Sequence, residues 1–163
     1  MNTIATPFSS VDLTALIEAI GLSTADDAMN NTLTREQWSL LSSFLLPVSL
    51  PAGQVLFAQG TSDRTLYLVE SGSLSVHAER EDQRLRLAMV GAGSVVGEGA
   101  FFSHRPRSAT VQASTACKLW SLTGLRFSEL ANRQPTVALQ LAMAAGAVLA
   151  KRLANRRRRV AAT

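Results

Sequence analysis

The chain has 163 residues, of which 47% are hydrophobic and 17% charged, a balance that supports one well-buried domain and leaves little room for two. Its single cysteine excludes an intramolecular disulfide framework, and no basic segment followed by an apolar run begins the sequence, so we expect a cytoplasmic protein. Six of the sixteen basic residues lie from Lys151 onward, so residues 1–150 carry ten basic and twelve acidic residues. The net charge of +4 therefore describes a basic tail, and composition does not favour a nucleic-acid-binding domain.

Two helices are predicted before residue 47. Residues 9–20 start with polar side chains and then place leucine and isoleucine at helical spacing. The polar segment 26–31 is interpreted as a linker. Thr34 and Gln37 form a capping-box signal for a second helix, which should end before Pro47. We interpret both helices as packing elements.

Residues 53–122 have the pattern of a β-sheet. Short runs rich in valine, leucine and threonine are broken by glycines and by a polar turn at residues 79–83. Regular spacing of strands and turns favours a sandwich or a small barrel. The predicted fold class is α+β, an antiparallel β-roll with helices before it and a long helix after it.

Two helices are predicted to follow the sheet. Thr123 can cap a helix that reaches about Asn132, and Pro135 suits the first turn of a final helix that continues into the arginine cluster. The longest apolar run of this helix, residues 137–150, is shorter than the roughly 20 residues of a membrane span. We therefore predict a helix of a soluble domain.

One face of the final helix carries residues at alternating spacings of about four and three. They are Leu139, Met143, Gly146, Leu149 and Leu153. Two interpretations are open: this face pairs with the same face of a second copy in a homodimer, or it covers the β-roll.

The arginine cluster that follows also has two interpretations. Its members are Arg156, Arg157, Arg158 and Arg159. They can contact an anionic surface such as lipid or nucleic acid, or they form a solvated helix end where the macrodipole favours cations. The predicted organisation is an N-terminal helical extension over 1–33, the main domain over 34–155 and a basic tail over 156–163.

The most informative segment is 97–110, GEGAFFSHRPRSAT. Gly97 and Gly99 permit positive φ and a close backbone approach, so the following N–H groups can face an anion. Arg107 offers a planar guanidinium to phosphate oxygens, with the Ser108 hydroxyl beside it. Glu98 can accept a hydrogen bond from a ribose hydroxyl. Together these groups match a cyclic phosphodiester with one free ribose hydroxyl.

This segment resembles the phosphate-binding cassette of the cyclic nucleotide-binding domain family, which includes catabolite-activator regulators, protein kinase regulatory subunits and cyclic nucleotide-gated channels. Gly97, Glu98, Ala100, Arg107, Ser108 and Ala109 match the family pattern. Gly99 departs from it, because an apolar residue usually stands there. Residues 51–57, 63–76, 90–97 and 109–122 resemble further parts of the family pattern, so the resemblance runs from about residue 34 to residue 153.

The resemblance implies a stand-alone regulatory module of the bacterial type that binds a cyclic nucleotide, cAMP in preference to cGMP, and signals through its C-terminal helix. It implies neither an enzyme nor a metal or other cofactor. In the family this helix often pairs in a dimer, and an unidentified protein partner is expected downstream. No helix-turn-helix follows the helix in this sequence, so no sequence-specific DNA binding is expected. The predicted ligand-binding residues are Gly97, Glu98, Gly99, Ala100, Arg107, Ser108 and Ala109.

The alternative is a degenerate member of the same fold. In that case Arg107 and Glu98 would pair with each other or with backbone groups, and the domain would act in dimerisation or protein interaction without nucleotide. Retention of both charged residues favours a ligand, because burying either charge without a partner costs several kcal/mol.

Overall fold

The structure is a computed structural model that describes residues 11–161, with side chains as far as Arg156. Five helices and eight strands follow one another along this part of the chain. They are α1 (Thr14–Leu22), α2 (Arg35–Ser42), β1 (Leu46–Leu50), β2 (Val55–Phe57), β3 (Leu66–Ser71), β4 (Ser73–Arg80), β5 (Gln83–Gly91), β6 (Val95–Val96), α3 (Glu98–Ser103), β7 (Thr110–Ala113), β8 (Cys117–Leu122), α4 (Gly124–Arg133) and α5 (Pro135–Ala161).

The strands form two four-stranded antiparallel sheets. One has the order β1-β8-β3-β6 and the other β2-β7-β4-β5. Strands β4 and β5 are consecutive and pair directly, whereas the other neighbouring strands are not consecutive in the chain, as in the pairing of Leu46 with Ser121. The prediction of an antiparallel β-roll with flanking helices and a long C-terminal helix is confirmed.

The first strand was not predicted, because the sheet pattern was placed only from residue 53. Helix α2 ends at Ser42, and Pro47 lies within β1. Proline has no N–H to donate, so it is tolerated where a strand has only one neighbour. Strand β1 lies at the edge of its sheet and pairs only with β8, which explains how a proline that should end a helix also fits a strand.

Buried apolar side chains form two clusters. One fills the space between the two sheets, with Val69, Leu74 and Leu119 fully buried. The other joins the outer face of the first sheet to the helices, where Trp38 of α2 packs in the same cluster as Leu141 of α5. Helices α1 and α2 are therefore packing elements, as predicted.

Helix starts follow the predicted capping signals. The Thr34 hydroxyl accepts a hydrogen bond from the Gln37 N–H at 3.2 Å, and the Gln37 side chain accepts one from the Thr34 N–H at 2.9 Å. Thr123 caps α4 by accepting from the Arg126 N–H at 3.2 Å. The domain boundary at residue 33 stays a prediction, since no observation tests it.

Helix α5 has a buried face and an exposed face. The buried residues are Val137, Ala138, Leu141, Ala144, Ala145 and Val148, and the exposed large apolar residues are Leu139, Met143 and Leu153. The part from Pro135 to Arg156 is long and apolar enough to cross a membrane by length and composition, although the run 137–150 alone is too short. One such helix is weak evidence for a span, because core helices meet the same criterion.

Candidate functional site

A cavity of about 750 Å³ lies between the second sheet, the cassette segment 97–110 and the end of α5. All seven residues that the sequence predicts as ligand contacts border it. They are Gly97, Glu98, Gly99, Ala100, Arg107, Ser108 and Ala109. The fold thus brings the predicted residues to one concave surface.

The cassette turn depends on Gly97, which lies directly before α3. Its φ of 84° is in the left-handed region, and a side chain there would place Cβ 2.6 Å from the Thr65 carbonyl oxygen and 2.7 Å from Arg107 Nη1. Only glycine fits both the conformation and the space. At Gly99 a Cβ would meet no atom within 4 Å, so the departure from the family pattern leaves the helical turn intact.

The Arg107 side chain is buried, with 1% of its surface exposed. Nη1 donates to the Gly97 carbonyl oxygen at 3.0 Å, while Nη2 donates to the Thr65 carbonyl oxygen at 2.7 Å and to Asp63 Oδ2 at 2.8 Å. The guanidinium carbon lies 4.0 Å from the centre of the Phe57 ring. Arg107 is therefore fixed on several sides by the fold itself.

One nitrogen of this fixed guanidinium has no acceptor. Arg107 Nε is buried and has no hydrogen-bond partner among the described residues. A buried N–H without a partner costs about 1–3 kcal/mol, and Arg107 borders the cavity, where an anionic oxygen would suit its charge. Ser108, the next residue, is exposed and also borders the cavity.

Asp63 supplies the negative charge for Arg107. Burial by itself would raise the pKa of the Asp63 carboxyl, but hydrogen bonds from Arg107 and Thr65 outweigh it and lower the pKa below its ordinary value. The carboxylate also accepts from the Thr65 N–H at 3.0 Å. The pair holds the arginine in a charged, oriented state before any ligand is present.

Glu98 pairs with a different arginine. Arg152 of α5 brings Nη1 within 2.8 Å of Glu98 Oε1 and Nη2 within 2.9 Å of Asp27 Oδ2. Arg107 and Glu98 do not pair with each other. Arg107 does donate to two backbone carbonyl oxygens, which is the second arrangement expected of a degenerate site. The predicted ribose acceptor instead connects to the C-terminal helix and to the segment between α1 and α2.

Apolar side chains of two elements also line the cavity, beside polar residues of the same elements. They are Leu85 and Met89 of β5 and Leu149 and Leu153 of α5. Leu85, Met89 and Leu153 keep 52%, 46% and 53% of their surface exposed, although they border a cavity. A flat ring can lie between these residues of β5 and those of α5.

Sequence reasoning missed Asp63, Phe57, Arg152 and Asp27. Asp63 lies three residues before a strand and looks like an ordinary turn residue, while Phe57 looks like a core position. Arg152 was counted among the basic residues of the tail, and Asp27 was placed in a linker. No local signal identifies these residues, because their partners are 44 and 125 residues away in the sequence.

Comparison with known proteins agrees with this geometry. The family described as "Cyclic nucleotide-binding domain" matches residues 47–134. The cAMP-activated global transcriptional regulator CRP of Escherichia coli O6:H1 is 31% identical over 105 residues, which is 63% of this chain and 48% of that protein. The chain spans less than half the length of the curated relatives it matches.

Solved structures show the same fold. The Thermus thermophilus Catabolite Activator Protein matches with a TM-score of 0.68 and 30% identity, over 80% of this chain and 60% of that one. A cyclic nucleotide-binding domain from Methylobacillus flagellatus matches with a TM-score of 0.72 and 21% identity, over 89% of this chain and 78% of that one. The fold of this chain is thus shared with these two proteins.

The chain belongs to the cyclic nucleotide-binding domain family, because the family match covers more than half of its length. Members of this family are regulatory domains. The residues that surround the cavity include the cassette, which lies inside the match, and Asp27 and Arg152, which lie outside it.

Proposed function

We propose that this chain is a regulatory module that binds a cyclic nucleotide in the cavity beside the cassette and acts as a binder rather than a catalyst. Arg107, Ser108 and the backbone of Gly97 to Ala100 would hold the phosphate. Glu98 would accept the ribose hydroxyl. The ring would lie between the apolar residues of β5 and α5.

The observation that carries this proposal is Arg107, which borders the cavity and whose Nε has no hydrogen-bond partner among the described residues. The other nitrogen atoms of the guanidinium are held by Asp63, Thr65 and Gly97, so the remaining donor keeps a fixed direction. A degenerate domain has no reason to keep a buried cation with a donor unsatisfied. A phosphate oxygen would satisfy it with a charge-assisted hydrogen bond.

We propose cAMP ahead of cGMP. The support is the relative in Escherichia coli, which is by its name cAMP-activated. The mainly apolar lining of the cavity favours stacking of any purine and does not select the base.

Calorimetry with protein freed of co-purified nucleotide tests the proposal. We expect saturable heat with cAMP and weaker binding of cGMP. Ligand at 100 times its Kd should also add about 2.7 kcal/mol to the free energy of unfolding. Absence of heat and of stabilisation with both nucleotides at millimolar concentration would leave the interaction-module alternative.

A second proposal concerns the output. We propose that α5 forms a homodimer through its exposed face and changes its contacts when the cavity fills, which requires that ligand bind the two helix arrangements unequally. Leu139 and Met143 are 60% and 66% exposed, and they lie one turn apart. Substituting both with glutamate should give a monomer in sedimentation, while Leu125→Glu, at an exposed leucine of α4, should leave the dimer intact.

Hydrogen exchange measures the change in α5. We expect ligand to slow exchange at residues 149–156, where the helix borders the cavity, more than at residues 137–145, where it packs in the core. Equal slowing along the whole helix would contradict a local output at its C-terminal end. The side chains of Arg157, Arg158 and Arg159 lie outside the described residues, and the anionic-surface interpretation of this cluster stays a prediction.

A further inference from the structure

We infer that Asp27, in the connection between α1 and α2, is a positioning residue for the ribose acceptor Glu98 and acts through Arg152. This inference rests on the proposed function, since it assigns the residues that complete the same site. It extends the site beyond residues 47–134 that match the family. The N-terminal connection then belongs to the ligand-binding unit and is more than a linker.

Asp27 holds two nitrogen atoms of the Arg152 guanidinium. Nε and Nη2 both donate to Asp27 Oδ2, at 3.0 Å and 2.9 Å. Nη2 also donates to the Ser94 hydroxyl at 3.0 Å. A guanidinium is planar and rigid, so fixing these two nitrogens also fixes the direction of Nη1. That atom is the one that lies 2.8 Å from Glu98 Oε1.

Asp27 is itself fixed to the chain that leads into the cassette. The Ser94 hydroxyl donates to the Asp27 carbonyl oxygen at 2.7 Å, and the Met29 N–H donates to the Gly93 carbonyl oxygen at 2.9 Å. Ser94 lies between β5 and β6, and β6 ends directly before Gly97. The N-terminal connection, the cassette approach and α5 therefore meet at one guanidinium.

Glu98 keeps acceptor capacity in this arrangement. Its side chain is 12% exposed, and only Oε1 is in contact with Arg152. An ionised carboxylate offers about four lone-pair sites, so a ribose hydroxyl can donate to Glu98 while Arg152 stays in place. Arg152 contacts Asp27 through two nitrogen atoms and Glu98 through one. This unequal sharing supports a role for Asp27 in positioning Arg152 beside Glu98.

The experiment compares cAMP with its 2′-deoxy analogue by calorimetry and repeats the comparison with the cGMP pair. A hydrogen bond to a charged group makes the parent prefer the ribose form by about 10- to 100-fold. We expect Asp27→Asn to lower this ratio at least about threefold, chiefly by weakening the ribose form. Arg152→Lys should lower it as well, because one ammonium does not reproduce a fork held by two carboxylates. In a Glu98→Gln background, Asp27→Asn should change the ratio no further.

Asp26→Asn is the matched control. Asp26 is the neighbouring acid on the same connection and accepts from Asn155 Nδ2 of the same helix at 2.8 Å, without a contact to Arg152. The Asp26→Asn substitution removes the same charge and also loosens the connection, but it leaves the contacts of Arg152 in place. The ratio of affinities for the ribose and deoxyribose forms should therefore stay at the parent value. Circular dichroism and thermal melting establish that each variant is folded before its ratio is compared.

Each outcome separates the two proposals. If Asp27→Asn weakens both forms equally, its role is structural and the inference fails while the proposed function stands. If Asp27→Asn raises the affinity for the ribose form, Arg152 competes with ligand for Glu98, and the inference is again overturned. If the parent binds none of the four nucleotides, the proposed function itself fails.

Discussion

The two ends of the cavity are built differently. We call the end at Arg107, which is proposed to hold the phosphate, the phosphate end, and the end at Arg152 of α5 the helix end. At the phosphate end, Arg107 is almost completely buried, and its partners Asp63, Thr65 and Gly97 all lie within the family match. At the helix end, Arg152 and Asp27 are 21% and 23% exposed, and both lie outside the match.

This difference matches the separate roles proposed for the two ends. At the phosphate end the guanidinium itself is buried, so leaving it without acceptors would cost about 3–5 kcal/mol, although its partner Asp63 is 37% exposed and that ion pair is screened. At the helix end both partners are partly solvated, and their ion pair contributes about 0–1 kcal/mol. We therefore expect the phosphate end to be preorganised and the more rigid of the two ends.

The largest expected effect is that of Arg107→Ala. The substitution removes the phosphate cation and leaves Asp63 and two carbonyl oxygens without their donor. We expect ligand affinity to fall at least about 30-fold, because truncating one partner of a desolvated charge pair costs about 2–5 kcal/mol. Calorimetry measures the affinity, and urea unfolding measures the accompanying loss of stability.

Two further variants accompany this substitution. Arg107→Lys keeps the charge and should fold even if the alanine variant does not, but it should still bind ligand weakly because the fork is lost. Arg105→Ala removes an exposed arginine of the same loop and should change the free energy of unfolding by less than about 0.5 kcal/mol. Unchanged ligand affinity in both Arg107 variants would contradict a preorganised phosphate end.

The second effect concerns the cassette turn. Gly97→Ala should destabilise the domain by about 1–3 kcal/mol, because it combines a strained φ with a collision against the Thr65 carbonyl oxygen and Arg107. Gly99→Ala, two residues on, meets open space and should be neutral or slightly stabilising. Urea unfolding of the two variants gives the comparison, and equal stabilities would mean that the turn is not held as described.

The sequence identified the cassette residues that border the cavity, but it did not identify Asp27 and Arg152 at the helix end. Gly97, Glu98 and Arg107 lie within a segment of fourteen residues, and each residue type indicates its chemistry locally. Glycine indicates a left-handed turn, glutamate an acceptor for a hydroxyl group, and arginine a hydrogen-bond donor to a phosphate. The capping signals at Thr34 and Thr123 are local in the same sense, and the structure confirms both.

The helix end depends on contacts between distant residues. Asp27 and Arg152 meet only because the connection after α1 folds over the end of α5, and no periodicity or motif describes that contact. Strand β1 was missed for a related reason, since its partner β8 begins 67 residues after β1 ends and Pro47 argues locally against a strand. Local sequence signals identify the functional side chains, whereas long-range packing decides which other side chains orient them.

A smaller effect is expected for Arg152→Met, which keeps a long apolar side chain and removes the guanidinium. The amide of Met29, which donates to Gly93, should exchange faster. Its free energy of local opening should fall by about 0–1 kcal/mol, which is the contribution of a partly exposed ion pair. The amides of Gly60 and Arg107, which bond across the cassette base at 2.8 Å and 2.9 Å, should keep their protection. Hydrogen exchange with mass or NMR readout measures both, and a uniform increase would mean that the two ends are one cooperative unit.

The smallest effect is the pH dependence of the Asp63–Arg107 pair. The pKa of Asp63 is lowered in the folded state from its ordinary value of 3.8, so the pair adds stability above that value and loses it as pH falls through the lower, folded pKa. The Asp63 side chain is 37% exposed, and solvent screening limits the contribution to under about 1 kcal/mol.

Asp63→Asn should therefore be less stable than the parent at pH 7, and the difference should shrink as pH falls below 4, where the parent carboxyl becomes neutral too. Urea unfolding of both proteins at pH 7, 5, 4 and 3 measures this convergence. A gap between Asp63→Asn and the parent that stays constant from pH 7 to 3 would mean that the carboxylate charge contributes nothing. Arg107 would then be held by its two carbonyl acceptors alone, and the phosphate end would owe its rigidity to backbone geometry.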